Sequence, residues 1–284
     1  MPNRIARSLI SGRTGTVGLV VMDSLAHRFV LPIVLGAEEA LSEIDLSMII
    51  SDARGDEARL RQIVDRFQER KVDGVLVVGD NNALTPSVDR LDQPVTYVYG
   101  ETGENDVAHV PDDLSGARAV TEHLLELGRR RLALITGPRT GRAVVERGKG
   151  VRTALRRSGV ELAQAVHTEW SQRAARAAAE ELLHQVPDVD AIICGSDQLA
   201  AGVTEAVLAS GRRVPDDVAI TGYDNWSVFA LESEPPLTTV DMNLQTLGAA
   251  AVRDLFGLID GKPVGGGVRL HPCTLVVRGS TTSD

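Results

Sequence analysis

Short, continuously apolar, β-branched runs alternate along this chain with longer stretches whose apolar residues recur at helical spacing, and this alternation narrows the fold most sharply. Residues 17–22 read as a strand, and residues 31–42 read as a helix rich in Ala, Leu and Glu. Residues 46–50 form the next expected strand. A charged amphipathic helix follows over 56–70, with Leu60, Ile63, Val64 and Phe67 on one face. Residues 75–78 and 95–99 complete a first group of strands. Strands covered on both faces carry unbroken apolar runs, so these read as parallel strands under helices.

The pattern then resumes. A helix capped around Asp113 stops at Gly128, and Arg129-Arg130-Arg131 lead into a strand over 132–135. A second helix stops at Gly159, a third covers 173–185, and 191–194 is a strand. The helix after it stops at Gly211, before a strand at 218–221. Glycine terminators and basic residues at the negative helix end, followed by an apolar strand, make a consistent helix-to-strand junction. This order predicts an α/β protein with doubly wound, Rossmann-like parallel sheets in two lobes.

Composition and motifs then exclude function classes. A formal net charge of −9 argues against the chain itself being a phosphate-binding surface. Cys194 and Cys273 lie far apart and the six histidines are scattered, so no metal site is expected. Gly148-Lys149-Gly150 lacks the hydroxyl residue and the upstream glycine spacing of a P-loop. Gly12, Gly15 and Gly18 lie before or at the start of the first strand instead of following it, unlike a dinucleotide loop. Neither HExxH nor GxSxG occurs. A non-enzyme without a cofactor is therefore expected. Residues 1–18 lack the apolar core of a signal peptide, and no run approaches the roughly 18 apolar residues of a spanning helix. A cytoplasmic protein without membrane contact is expected.

In open parallel sheets, ligands sit beyond the carboxyl ends of the strands. The residues expected there are Asp23-Ser24, Ser51-Asp52, Asp80-Asn81, Tyr99, Thr136-Gly137, Trp170, Ser196-Asp197 and Tyr223-Asp224-Asn225. Hydroxyls, carboxylates and amides beside aromatic rings are the parts that hold a polyhydroxylated ligand. Each polar position also suits a cap or turn, Ser196 or Asp197 as a helix N-cap above all. Trp170 equally suits core packing.

Residues 2–9 with 11–18, Arg147-Gly148-Lys149-Gly150 with Ala154-Leu155, and residues 194–202, 214–225, 235–240 and 275–280 together resemble the LacI/GalR (lactose-repressor) family of bacterial transcriptional regulators. Residues 2–9 with 11–18 look like its hinge helix and first strand. Arg147-Gly148-Lys149-Gly150 with Ala154-Leu155 resembles the start of one of its helices. Residues 194–202 resemble its N-D-Q-x-A-x-G block, residues 214–225 its most recognisable stretch, and residues 235–240 and 275–280 its closing segments. The resemblance implies two lobes of the type I periplasmic-binding-protein kind, joined by three crossovers, with an effector in the cleft between them. The expected division is a hinge remnant at 1–13, one lobe from 14–111 plus 241–272, and the other from 112–240 plus 273–284. The family's helix-turn-helix headpiece has no counterpart within these residues.

The same resemblance implies site residues. Arg147 would clamp ligand hydroxyls or a carboxylate, its alternative being a surface salt bridge, and Asp224 would accept from hydroxyls or pair with Arg147. Trp170 would stack on the ligand, Ser196 stands where Asn is common, and Tyr99 stands where Asp is frequent. Phe29 would wall the cleft, with Asp23 and Asp52 as weaker candidates. In the hinge, Leu9 would wedge into the minor groove, with Arg4 and Arg7 near phosphates. The implied function is effector sensing by a repressor, the effector a sugar or derivative, in a homodimer that meets operator DNA through the headpiece. A solute-binding protein of transport or chemotaxis shares the two-lobe form, but would need a secretion signal. An enzyme working in the cleft would need an acid–base or nucleophile set.

Overall fold

In the computed structural model, which describes residues 13–81, 83–88 and 91–282, a six-stranded parallel sheet is built from β1 (Thr16–Val21), β2 (Ser47–Asp52), β3 (Gly74–Val78), β4 (Val95–Val98), β5 (Val107–Pro111) and β11 (Gly267–His271). The strand order is β11-β5-β4-β3-β1-β2. The helices of this unit are α1 (Val30–Glu43), α2 (Glu57–Glu69) and α8 (Leu244–Ile259). Helix α2 starts because the Asp56 carboxylate accepts from the backbone N–H groups of Ala58 at 2.7 Å and Arg59 at 3.0 Å. Its Leu60, Ile63, Val64 and Phe67 are buried against the sheet, as their spacing predicts. The Phe67 ring lies against Gly18, where a Cβ would strike it. Helices α1 and α8 meet at backbone contact distance, because Gly36 faces the Gln245 carbonyl and Gly248 faces that of Ile33.

The second unit carries a four-stranded parallel sheet in the order β7-β6-β8-β9. Its strands are β6 (Leu132–Thr136), β7 (Gln164–His167), β8 (Ala191–Cys194) and β9 (Ala219–Thr221). Around it lie α3 (Asp113–Glu126), α4 (Arg142–Arg157), α5 (Gln172–Gln185), α6 (Asp197–Ala209) and the short α7 (Ser227–Ala230). An antiparallel pair, β10 (Thr239–Asp241) with β12 (Thr274–Val276), completes the unit. Its core packs Ile135, Ile192, Leu182, Leu199 and Val203 between sheet and helices. The glycines expected to end α3, α4 and α6 do so with left-handed backbones, φ +85° at Gly128, +64° at Gly159 and +82° at Gly211.

The chain therefore divides into two compact units. One runs to Pro111 and resumes over Asn243–His271, and the other comprises Asp112–Met242 and the segment from Pro272. The strands expected from apolar runs omit β5, β7 and β11, and also the three-residue β10 and β12. His109 and Pro111 interrupt the apolar run of β5, and edge strands β7 and β11 are only half covered, so an apolar run is not needed there. Strand β2 ends two residues later than expected, which places Ser51 and Asp52 within it.

Candidate functional site

The second unit gathers its polar strand-end residues around one guanidinium. Arg147, on α4, is buried. Its Nε donates to Asp113 Oδ1 at 2.8 Å, its Nη1 donates to the Gly195 carbonyl at 2.6 Å, and its Nη2 reaches Met242 Sδ at 3.5 Å. Asp224 Oδ1 stands 3.5 Å from Nη1, and the Tyr223 ring lies face-on beneath the guanidinium, 3.7 Å from its carbon. Asp224 and Arg147 thus lie within ion-pair distance, one of the two roles expected for Asp224. A surface salt bridge is not what forms: Asp113, Arg147 and Asp224 side chains are 0%, 7% and 3% exposed.

Asp113 plays a part that spacing did not assign. Asp112 is the N-cap of α3, accepting from Ser115 N at 3.0 Å, which leaves the Asp113 carboxylate to meet Arg147. The signal in the sequence was a second consecutive carboxylate, since one cap needs only one. Two carboxylates thus face one guanidinium within this buried cluster. Burial, with Asp113 beside it, holds the Tyr223 phenol well above its usual range, so it stays protonated. Burial, again with Asp113 near, pushes the Cys273 thiol up to about 12, and burial likewise raises Cys194.

Ser196 sits beside the cluster, and its hydroxyl caps α6 by accepting from Leu199 N at 3.2 Å. The Asp197 carboxylate, fully buried, accepts instead from Trp226 N at 2.6 Å and from the Thr239 hydroxyl. Trp170 is half-buried beyond β7. Its indole covers Gly137, the residue after β6, and its inner edge packs on the core. Glycine at 137 is what lets the ring lie against the backbone there.

The remaining candidates lie in the first unit. Phe29, at the start of α1, and Tyr99, after β4, are ring neighbours with centroids 4.9 Å apart, and the Arg28 guanidinium lies 4.1 Å over the Phe29 ring. Tyr99 is buried with φ +57°. Asp23 stands 3.3 Å from His27 Nδ1 and borders a cavity of about 230 Å³ with Met22, Gly55, Asp80 and Leu84. Asp52 holds its own turn, accepting from Arg54 N at 3.1 Å. The hinge candidates Arg4, Arg7 and Leu9 lie outside the described residues. Among the described residues no cluster of His, Cys, Asp or Glu is arranged to hold a metal, and no helix is long and apolar enough to cross a membrane.

A parallel sheet of this order with a buried arginine–carboxylate cluster at its strand ends defines a periplasmic-binding-protein-like domain, and the model of that domain family matches residues 121–281. The transcriptional regulator CelR of Thermobifida fusca is 37% identical over 274 residues, which cover 92% of this chain and 80% of that protein. The solved complex of CelR with cellobiose has a TM-score of 0.80 at 32% identity, covering 97% of this chain and 89% of that one. A LacI-family transcriptional regulator from Rhizobium etli has a TM-score of 0.89 at 28% identity, covering 95% and 100% respectively. This chain belongs to the LacI/GalR family of transcriptional regulators.

Proposed function

We propose that this chain is the sensing core of a sugar-responsive repressor, its effector held by Arg147, Asp113 and Asp224 and stacked on Trp170. The observation that carries the reading is the buried cluster itself, one guanidinium shared by two carboxylates. Carboxylate oxygens beside a guanidinium offer acceptors and donors to the hydroxyls of such a ligand. An indole at the neighbouring strand end offers an apolar face to a sugar ring. The relative CelR, whose solved complex contains cellobiose, supports the same ligand class. Asp23 and Asp52, engaged with His27 and Arg54, are the weaker contacts in this reading, and Phe29 with Tyr99 supplies a second aromatic surface.

Regulation then follows by linkage. An effector that binds one arrangement of the protein more tightly than another shifts the population and, with it, operator affinity. The operator is met through a headpiece and hinge, and the site of action is the cytoplasm. A homodimer fits the surface of each unit: Leu31 and Leu35 on α1 are 64% and 50% exposed, and Val228 and Leu231 lie exposed at α7. The relatives named above are transcriptional regulators, which supports sensing without catalysis.

A thermal-shift panel of neutral disaccharides, pentoses, nucleosides and sugar acids tests the ligand class. A rise in Tm for neutral sugars, lost in Trp170→Ala, is expected. A rise confined to sugar acids would overturn the reading.

A further inference from the structure

We propose that Asn225 and Arg278 are positioning residues for the effector site, locking the turn that presents the Asp224 carboxylate to Arg147. The proposal rests on reading Asp224 as an effector contact. The turn after β9 places two consecutive non-glycine residues at positive φ, +104° at Asp224 and +52° at Asn225. Such a conformation is unfavourable for residues with a Cβ and persists only where its surroundings over-determine it. Asn tolerates the left-handed region better than most residues, but Asp at +104° has no such ease.

The surroundings are specific. Asp224 N donates to the Val240 carbonyl at 2.8 Å, and Asn225 N donates to Thr239 Oγ1 at 3.3 Å. The Asn225 side-chain amide is held at both ends: its Nδ2 donates to Asp241 Oδ2 at 3.0 Å, and its Oδ1 accepts from Arg278 Nη2 at 2.8 Å. Arg278 follows β12, and its other terminal nitrogen, Nη1, donates to the Leu237 carbonyl at 2.9 Å. The guanidinium thus spans from Leu237, two residues before β10, to the tip of the turn. A charged donor on a neutral acceptor makes the stronger kind of hydrogen bond.

Backbone pairing of β10 with β12 does not need either side chain, because the register Thr239↔Val276, Val240↔Leu275 and Asp241↔Thr274 is made by main-chain groups. The C-terminal segment is also fastened independently, through Ile220 N to the Ser280 carbonyl at 2.9 Å and Ser280 N to the Pro236 carbonyl at 2.9 Å. What the Arg278–Asn225–Asp241 chain adds is the aim of the turn, and with it the 3.5 Å approach of Asp224 to Arg147. The strand-closing segment is in this way wired to the ligand site.

Two measurements on Asn225→Gly and Arg278→Met test this. Glycine keeps the left-handed backbone accessible while removing the anchor, and Arg278→Lys serves as a milder variant should Arg278→Met fail to fold. In amide hydrogen exchange, Asp224 and Trp226 are expected to exchange faster in each variant, with β6 and β8 unchanged. Unchanged exchange at 224 and 226 would overturn the proposal. In titrations with cellobiose, affinity is expected to fall on the order of tenfold, the scale seen when the support behind a ligating side chain is removed. The same substitutions in an Asp224→Asn background are expected to cost nothing further, whereas independent, multiplying losses would mark a merely structural role and overturn it. If the unsubstituted protein does not bind cellobiose, that ligand assignment falls, and hydrogen exchange alone decides the positioning role.

Discussion

Asp113 and Arg147 meet through a 2.8 Å Oδ1···Nε hydrogen bond between two side chains removed from water, one at the first residue of α3 and the other in the second turn of α4. Neither could sit there alone, because an uncompensated charge in a buried site is costly. The pair is therefore a packing constraint. It obliges α3 and α4 to keep one relative position, and the small residues between them make that position reachable.

Arg147→Ala is expected to lower unfolding free energy by about 3–5 kcal/mol, since it strands Asp113 and Asp224 without their cation. Combining Arg147→Met with Asp113→Asn is expected to cost less than the sum of the two single substitutions. Urea denaturation measures both. A loss below about 1 kcal/mol for Arg147→Ala would mean the cluster is hydrated like a surface pair.

Gly150→Ala is expected to destabilise by about 1–3 kcal/mol through overpacking. A Cβ there would enter the space of the Leu114 carbonyl and crowd Arg118 N and Ala117. Helix α4 would be pushed from α3, lengthening the Asp113–Arg147 contact. Ligand affinity should fall together with Tm, and a variant of unchanged Tm would contradict this account of the helix contact.

Much of this was legible in the sequence. Apolar runs located seven of the strands, the spacing of Leu60, Ile63, Val64 and Phe67 gave the buried face of α2, and glycine marked three helix ends. The nearness of Arg147 and Asp224 came only from the family resemblance, as one of two roles for Asp224. Strands β7 and β11 were not legible, because an edge strand half open to solvent needs no apolar run. Asp113 was hidden behind its own helix start, where a cap and an ion-pair partner look alike in sequence. Which of Ser196 and Asp197 caps α6 was open too, and it is decided by Thr239 and Trp226 N claiming the Asp197 carboxylate.

Acid sensitivity is expected to trace in part to the first unit. His109 Nδ1 shares a 2.8 Å hydrogen bond with His271 Nε2, and His109 Nε2 lies 3.1 Å from Asp254, which also holds Arg269 at 2.8 Å. Burial first, and then neighbouring His271, lower the His109 pKa from 6.5 to about 4, and burial lowers that of His271 too. Between those values the unfolded chain binds more protons than the folded one, so stability is lost as pH falls through that window. His109→Phe should therefore lose less Tm than the unsubstituted protein between about pH 7 and about pH 5. An identical loss would show that other groups set the acid response.

The central claim is that a neutral, hydroxyl-rich ligand docks on the Asp113–Arg147–Asp224 cluster, and isothermal titration of cellobiose into the unsubstituted protein and into Asp224→Asn tests it most directly. Saturable binding is expected for the first, and a loss of on the order of tenfold or more for the second, about the worth of one charge-assisted hydrogen bond. Equal affinity in both proteins would contradict the account, because the ligand would then sit where Asp224 does not reach.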